Sequence, residues 1–397
     1  MINEKSISEF VDAHRDEALD CLSELVRAAS PTGKEEPAVA AFKSALGRAG
    51  LQVRTVSYDK SRENLLAEWF GTRPGKRFIF NGHMDVFPPD PADPGKFGPW
   101  SGKIEGGFLY GRGSCDMKGG DAGAIMAVAF LKRMGFDPKG SVLLSFMVDE
   151  ENGGKLGVQS LVRDGHLKGD FGICMEPTSG GILLSHNGIL RGNVTYTGQA
   201  QSTSFALKGK SALEKALTAI SALYAIKERM KDAEPAQGLL PNFTVSVISA
   251  GDENAVNVYP TLCRFWFDRR LKPGETHGAA LKEITDILDG LQAKDPAFKY
   301  EIEITSRRPS LHHEVDDPFV RLLTESYEQV LGKKAFFKNH PGGSDAAYIR
   351  QDTGMPMPNF GGADDDTEPC TANEKISVQN YLDFIKVYMM VLVNALS

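Results

Sequence analysis

The sequence predicts an α/β protein with a mostly parallel sheet and a smaller inserted domain. Three apolar segments, at residues 77–86, 141–150 and 170–177, are separated by helical stretches. Strands that are apolar throughout are typical of a parallel sheet covered by helices on both faces. Between residues 188 and 307 the order changes to strand, helix, strand, strand, helix, strand, the pattern of a ferredoxin-like domain. We therefore expect one domain formed by residues 1–187 and 308–397, interrupted by a second domain at 188–307.

The elements of the larger domain follow from apolar spacing and from turn residues. Residues 22–49 have helical spacing that is broken at 30–33, where the sequence Ser-Pro-Thr-Gly favours a turn. An alanine-rich stretch at 120–134 predicts a long helix between the first two strands. The apolar stretch 378–396 predicts a C-terminal helix. In the inserted region we expect strands at 189–197, 242–251, 261–271 and 298–305, and helices at 211–231 and 277–292.

The composition is that of an ordinary globular protein and argues against several partners. The 397 residues include 45 Lys and Arg against 52 Asp and Glu, a net charge of −7, so we expect no nucleic-acid partner. No apolar run reaches the ~20 residues of a membrane helix, and the N-terminal sequence has no apolar core of a signal peptide. Five scattered cysteines do not suggest a disulfide framework. We expect a cytoplasmic protein without a membrane partner.

Acidic side chains and a histidine follow the three apolar strands. His83 ends the first strand, Glu150 and Glu151 end the second, and Glu176 ends the third. Ligands of open α/β sheets bind at the carboxyl ends of the strands. Carboxylates gathered there repel one another unless a cation compensates them. Each residue alone also fits a solvated surface position, but their conjunction predicts a site for one or two divalent metals.

A glycine-rich loop at 111–120, GRGSCDMKGG, leads into the alanine-rich helix. It matches neither a Walker sequence nor a complete GxGxxG motif. A tight turn or a phosphate loop is the alternative interpretation. We expect its Asp116 to lie close to the same cleft.

Together these segments resemble the metal-dependent aminoacylase and carboxypeptidase family, which includes acetylornithine deacetylase, succinyl-diaminopimelate desuccinylase and glutamate carboxypeptidase. The matching segments are GHMDV at 82–86, GRGSCDMKGG at 111–120, DEENGG at 149–154, MEPT at 175–178, NVYP at 257–260, DRRLKPGET at 268–276, GGSDAAYI at 342–349 and TANEKIS at 371–377. The resemblance implies a zinc-exopeptidase-like catalytic domain, an inserted lid domain that forms a homodimer, and hydrolysis of the amide bond of an N-acyl amino acid or small peptide-like substrate. It implies two zinc ions per chain, with a single metal, cobalt or manganese as alternatives.

The resemblance also implies roles for individual residues of the metal site. Asp116 would bridge two metals, His83 and Glu176 would complete one of them, and Glu151 would bind the other. Asp85 would accept the proton of the second His83 nitrogen, a usual role for a carboxylate behind a metal-binding histidine. Glu150 would be the general base on a water held by the metal.

Further residues would bind the substrate. Arg270 and Asn257, from the lid, would hold its carboxylate and the developing oxyanion. The turns at Gly342-Gly343 and Gly361-Gly362 would supply backbone donors.

Two residues depart from the family pattern, and an acidic run beside one of them is unusual. Cys370 stands where a metal-binding histidine is usual; its thiolate is a good zinc ligand, or it is a small apolar residue and the second metal is absent. Ser202 replaces the histidine of a Gly-x-x-x-His pattern and is a weaker donor to the oxyanion. These substitutions leave open a repurposed or hydrolytically impaired member. The run at 363–368, Ala-Asp-Asp-Asp-Thr-Glu, is a solvated loop, or it attracts a cationic substrate or supplies a further ligand.

Overall fold

The computed structural model describes residues 2–208, 211–363 and 369–397. The acidic residues at 364–366 and 368, for which a ligand role was one interpretation, lie outside the described residues. The chain divides into two compact units. The large unit contains residues up to 184 together with 313–338 and 344–397, and the small unit contains 185–312 and 339–343. The inserted domain predicted at 188–307 falls within the first stretch of the small unit.

The helices and strands are numbered along the chain. The α-helices are α1 Glu4–Ala13, α2 Arg15–Arg27, α3 Glu36–Arg48, α4 Lys118–Arg133, α5 Val158–Arg163, α6 Ala212–Met230, α7 His277–Lys294, α8 Pro318–Leu331, α9 Ala346–Thr353 and α10 Val378–Leu396. The strands are β1 Val53–Asp59, β2 Arg62–Phe70, β3 Arg73–His83, β4 Lys103–Glu105, β5 Phe108–Tyr110, β6 Lys139–Met147, β7 Phe171–Cys174, β8 Ile182–His186, β9 Gly188–Thr197, β10 Asn242–Ala250, β11 Leu262–Leu271, β12 Tyr300–Arg308, β13 Leu311–His312, β14 Phe337–His340 and β15 Lys375–Ser377.

The central sheet of the large unit has the strand order β1-β2-β6-β3-β7. The three apolar segments of the sequence form β3, β6 and β7, which are parallel to one another. The α/β fold class is confirmed, but the sheet is mixed, because β1 and β2 form a hairpin that joins β6 antiparallel. The carboxyl ends of the three parallel strands therefore lie at one edge of the sheet.

Helices α4 and α10 are almost entirely buried in the large unit and pack against each other. This burial explains why α10 is apolar on nearly every side. No described helix combines the length and the apolar character needed to cross a membrane. Glycines allow α4 to begin close to the end of β7, since a Cβ on Gly120 would lie 2.4 Å from the Met175 carbonyl oxygen. This approach carries the loop before α4 towards the ends of the strands.

The small unit has the element order β9-α6-β10-β11-α7-β12, the βαββαβ order expected from the sequence. Its four strands form an antiparallel sheet in the order β10-β11-β9-β12. Its core consists of apolar side chains from the two helices and the sheet. The strands β10 and β12 are the two edges of this sheet.

Candidate metal centre

The buried side chain of His83 stands at the end of β3 and faces two carboxylates. Its Nε2 lies 3.4 Å from Asp116 Oδ1 and 3.8 Å from Glu176 Oε1. Its Nδ1 lies 2.8 Å from the main-chain oxygen of Asp85. A carbonyl oxygen can only accept, so this hydrogen bond places a proton on Nδ1. Nε2 is then directed to the acidic cluster, where it would offer its lone pair to a metal after losing its proton.

The Asp85 side chain has another role than the one expected from the sequence. Its Oδ1 lies 3.8 Å from His83 Nδ1, too far for a hydrogen bond, and the main-chain oxygen of the same residue takes its place. The carboxylate instead accepts hydrogen bonds from Thr32 Oγ1 at 2.9 Å and from the main-chain N–H groups of Glu150 at 3.1 Å and Glu151 at 3.3 Å. Burial raises the pKa of Asp85 to about 6. Asp85 therefore holds the turn that follows β6.

Five of the residues predicted from the sequence lie together at this edge of the sheet. Potential ligand atoms of His83, Glu150 and Glu176 are all within 4.8 Å of one another, and so are those of His83, Asp116 and Glu151. The two groups share His83. A histidine nitrogen and carboxylate oxygens form a donor set that suits zinc and related divalent ions.

The electrostatics of this cluster favour a bound cation. Burial, reinforced by the negative charge of Asp116, raises the pKa of Glu151 to about 10. Burial also raises the pKa of Glu176 well above its usual value. For His83, burial lowers the pKa, but the hydrogen bond with Asp116 and the charges of Glu176 and Glu150 outweigh it and raise the pKa overall. A divalent ion would relieve this repulsion among the carboxylates.

Cys370 lies at the rim of the same cluster. Its Sγ is 3.5 Å from Asp116 Oδ2, and the residue is exposed. Partial desolvation and the negative charges of Asp116 and Glu151 raise the pKa of the Cys370 thiol. The thiol thus lies beside the carboxylate that was predicted to bridge two metals. Its ligation of a metal stays a prediction.

Sequence reasoning assigned no role to Glu374, although this residue lies within one of the quoted motifs. The carboxylate of Glu374 is buried and accepts hydrogen bonds at 3.1 Å from the main-chain N–H groups of Cys115 and Asp116. Its other oxygen pairs with Arg112 at 3.1 Å. Glu374 therefore fixes the backbone of the loop that carries Asp116.

The small unit contains Arg270 and the Gly342-Gly343 turn within one region. The two glycines were expected to supply backbone donors. The N–H of Gly342 already has an acceptor within the protein, because it donates to His340 Nδ1 at 2.9 Å. The carbonyl oxygen of Gly343 accepts from Arg308 Nη1 at 2.9 Å. Arg270 and Gly342 line a groove of about 830 Å³ in the small unit.

Ser202 and Asn257 lie together, but at the other end of the small unit's sheet. Ser202 forms a bridge with Val258, and the N–H of Thr203 donates to the Asn257 carbonyl oxygen at 3.0 Å. The loop with Asn257 joins β10 to β11 at the end near Cys263, whereas Arg270 is at the far end of β11. At ~3.3 Å per residue these ends are roughly 23 Å apart. Ser202 and Asn257 therefore do not reach the groove of Arg270 within this unit.

Known proteins have sequences similar to that of this chain. Residues 79–394 match the sequence pattern of Peptidase family M20/M25/M40. A succinyl-diaminopimelate desuccinylase of Methylorubrum populi is 29% identical over 358 residues, which are 85% of this chain and 88% of that protein. The desuccinylase of Methylorubrum extorquens strain PA1 is 29% identical over 355 residues, with the same coverage of both proteins.

Solved structures show the same fold. An M20 family metallo-carboxypeptidase from Sulfolobus solfataricus superposes with a TM-score of 0.79 at 18% identity, covering 95% of this chain and 98% of that one. Human carnosine dipeptidase 1 superposes with a TM-score of 0.76 at 18% identity, covering 99% of each chain. The family pattern spans most of the chain and includes the residues at the ends of β3, β6 and β7. The chain therefore belongs to Peptidase family M20/M25/M40, a family of hydrolases that act on amide bonds.

Proposed function

We propose that this protein is a metal-dependent amidohydrolase that releases the acyl group of an N-acyl amino acid or of a small peptide-like amide. The observation that carries the proposal is the pair of overlapping ligand groups around His83, built from Glu150, Glu176, Asp116 and Glu151. This arrangement provides both metal ligands and a spare carboxylate for acid–base chemistry in one cleft.

Zinc is the metal that we propose for this cluster. His83 and Glu176 would hold one ion, Glu151 and Cys370 a second, and Asp116 both. The donor set fits, because His83 already presents Nε2 and because the buried carboxylates need a compensating charge. When bound, a divalent metal lowers the pKa of water towards ~7 and polarises a carbonyl group.

Glu150 is the residue that we assign to proton transfer. Its carboxylate is buried and its main-chain N–H is fixed by Asp85. In this role it accepts a proton from the attacking water and delivers the proton to the nitrogen that leaves. By distance Glu150 also belongs to one ligand group, so the metal content of a Glu150 variant decides between base and ligand.

A homodimer through the small unit is part of the proposal. The β12 edge of its sheet exposes Glu301 and Glu303, which discourage pairing, whereas the β10 edge exposes Val247 and Ile248, at 51% and 44% exposure. An apolar strand edge is a template for pairing with a second copy. Two-fold, antiparallel pairing of the β10 strands would also place the Ser202 end of one copy beside the Arg270 end of its partner. The partner would then supply the Ser202 and Asn257 groups that do not reach Arg270 within one unit.

The test of the proposed function is direct. Protein purified without chelator is assayed for metal content and for release of the acyl group from a panel of N-acetyl and N-succinyl amino acids. We expect bound zinc and turnover that disappears after chelation and returns with zinc. Full activity in exhaustively chelated protein would contradict the proposal.

A further inference from the structure

The segment 30–35, between α2 and α3, runs beside the end of β3. The N–H of Val86 donates to the Ser30 carbonyl oxygen at 3.0 Å, and the N–H of Thr32 donates to the Val86 carbonyl oxygen at 3.1 Å. These are the two hydrogen bonds of a parallel β-bridge. The Ser-Pro-Thr-Gly sequence that favoured a turn therefore also fixes a short stretch of backbone next to Asp85.

The Thr32 side chain uses this fixed position to bind the Asp85 carboxylate. Its Oγ1 donates to Asp85 Oδ2 at 2.9 Å, and Asp85 is fully buried. The same oxygen accepts the Glu151 N–H at 3.3 Å, and Oδ1 accepts the Glu150 N–H at 3.1 Å. Of the donors to Asp85 in the described part of the chain, Thr32 is the one outside the turn at 149–154. Its hydroxyl therefore joins the carboxylate that holds this turn to the fixed segment.

Glu35 connects the same segment to the turn by a second route. Its carboxylate, 2% exposed, accepts the Gly33 N–H at 2.8 Å and Arg62 Nε at 3.1 Å. Arg62 in turn donates through Nη1 to Asp149 Oδ1 at 2.9 Å, and Asp149 is the residue before Glu150. Loss of one route thus leaves the other in place, so the turn can be loosened without being lost.

From these contacts we infer that Thr32 is a positioning residue of the metal centre. Its hydroxyl fixes the Asp85 carboxylate, and Asp85 holds the main chain of Glu150 and Glu151. Among the described residues, the two ligand groups include neither Thr32 nor Asp85, so Thr32 acts through its neighbour and not on a metal or a substrate. The consequence for turnover rests on the proposed function, because a displaced Glu150 transfers a proton less efficiently. The effect on the turn does not depend on that function.

The first test measures the turn itself, in chelated protein that needs no substrate. Thr32→Val removes the hydroxyl with little change of shape. We expect hydrogen exchange of the amides at 149–154, followed by mass spectrometry, to become about tenfold faster, because a buried carboxylate loses one of its hydrogen bonds. Exchange in β6 should stay unchanged, which separates local loosening from a general loss of stability. Thr32→Ser retains a hydroxyl and should restore slow exchange.

Two further variants identify the route. Thr324→Val is the matched control, since Thr324 Oγ1 donates to the Val320 carbonyl oxygen at 2.8 Å within α8, and it should leave exchange at 149–154 unchanged. In an Asp85→Ala background, Thr32→Val should add no further increase, because residues that act as one unit are not additive. Unchanged exchange in Thr32→Val, fast exchange in Thr32→Ser, or a full effect of Thr32→Val without the Asp85 carboxylate would each overturn the inference.

The second test concerns turnover and distinguishes this inference from the proposed function. With zinc bound, we expect Thr32→Val to lower kcat for an N-acyl amino acid about tenfold, with KM near that of the wild type, since a small displacement of a catalytic group slows the reaction. Thr32→Ser should recover kcat. Wild-type turnover with the same kcat in Thr32→Val would retain the amidohydrolase and overturn the role of Thr32. Faster exchange in Thr32→Val, in a protein that hydrolyses no N-acyl amino acid, would retain the positioning of the turn and overturn the proposed function.

Discussion

Arg62 and Asp149 form a buried ion pair immediately before the turn that carries Glu150 and Glu151, with Nη1 2.9 Å from Oδ1. Arg62 also pairs with the buried carboxylate of Glu35 through Nε and Nη2. Asp149 has a left-handed backbone conformation, φ 74°, which non-glycine residues seldom adopt. Two contacts hold the Asp149 side chain in this conformation. One is the Arg62 guanidinium, and the other is the Leu156 N–H, which donates to Asp149 Oδ2 at 3.0 Å. Arg62 therefore positions Glu150 and Glu151 through the turn that carries them, without contacting the acidic cluster itself.

We expect Arg62→Met to destabilise the protein and to lower kcat. The substitution leaves Glu35 and Asp149 as unpaired buried carboxylates, and breaking a buried pair costs ~3–5 kcal/mol. Urea unfolding measures the loss of stability and steady-state assays the loss of turnover. Arg163→Met breaks the exposed pair with Asp164 and should have almost no effect. Equal stability of the two variants would show that the Arg62 pairs contribute little.

The residues that gather at the ends of the parallel strands could be predicted from the sequence. The hydrogen bonds that orient these residues and their surroundings could not. His83, Glu151 and Glu176 each follow an apolar run, and the geometry of a parallel sheet is enough to bring such residues together. The bond from His83 to the Asp85 carbonyl oxygen, and that from the Gly342 N–H to His340, depend on rotamers that only the packed structure specifies. Arg62 has no sequence signal, because a single arginine at the start of a strand is ordinary on a protein surface.

The role of Glu150 can be separated from that of its neighbour. We expect Glu150→Gln to reduce kcat by ~10²–10⁴, the usual contribution of a general base, while the zinc content stays near that of the wild type. Glu151→Gln should lose zinc, because this residue is assigned as a ligand. Metal analysis by mass spectrometry and rates of acyl release on the same preparations are the measurements. Loss of zinc from the Glu150 variant would make it a ligand instead.

Metal removal should make stability sensitive to pH. In the metal-free protein the pKa of Glu151 is raised to about 10, above its ordinary value of ~4.3 in an unfolded chain. Between these values the folded state binds more protons than the unfolded state, so the free energy of unfolding falls as pH rises. We expect the Tm of chelated protein to decrease from pH 5 to pH 9, and the zinc-loaded protein to show a smaller decrease.

The control for this pH effect is Glu151→Gln, which cannot ionise at that position. The chelated variant should have a flatter dependence of Tm on pH than the chelated wild type. Identical slopes for the two proteins would show that other groups cause the effect.

We expect the protein to dimerise through the β10 edge. Val247→Lys places a charge on this apolar edge and should shift the mass measured by light scattering from two chains to one. Thr305→Lys introduces the same charge on the β12 edge and should leave the dimer intact. A single-chain mass for the wild type at micromolar concentration, or dissociation by the Thr305 variant instead, would contradict the β10 interface.

Cys370 gives the last prediction. Its Sγ lies 3.5 Å from Asp116 Oδ2, and a thiol that binds a metal must lose its proton. We expect wild-type protein loaded with cobalt to show a near-ultraviolet thiolate-to-cobalt band that is absent from Cys370→Ala. The alanine variant should retain about one zinc per chain, whereas Cys370→His, with an imidazole ligand, should retain two.

Peptide mapping after slow alkylation should find Cys370 protected by zinc and modified without it, with Cys21, Cys174 and Cys263 as buried internal controls. Equal alkylation in both states, together with an unchanged zinc content in the alanine variant, would show that the thiol is not a ligand and that the second ion, if bound, is held by other groups.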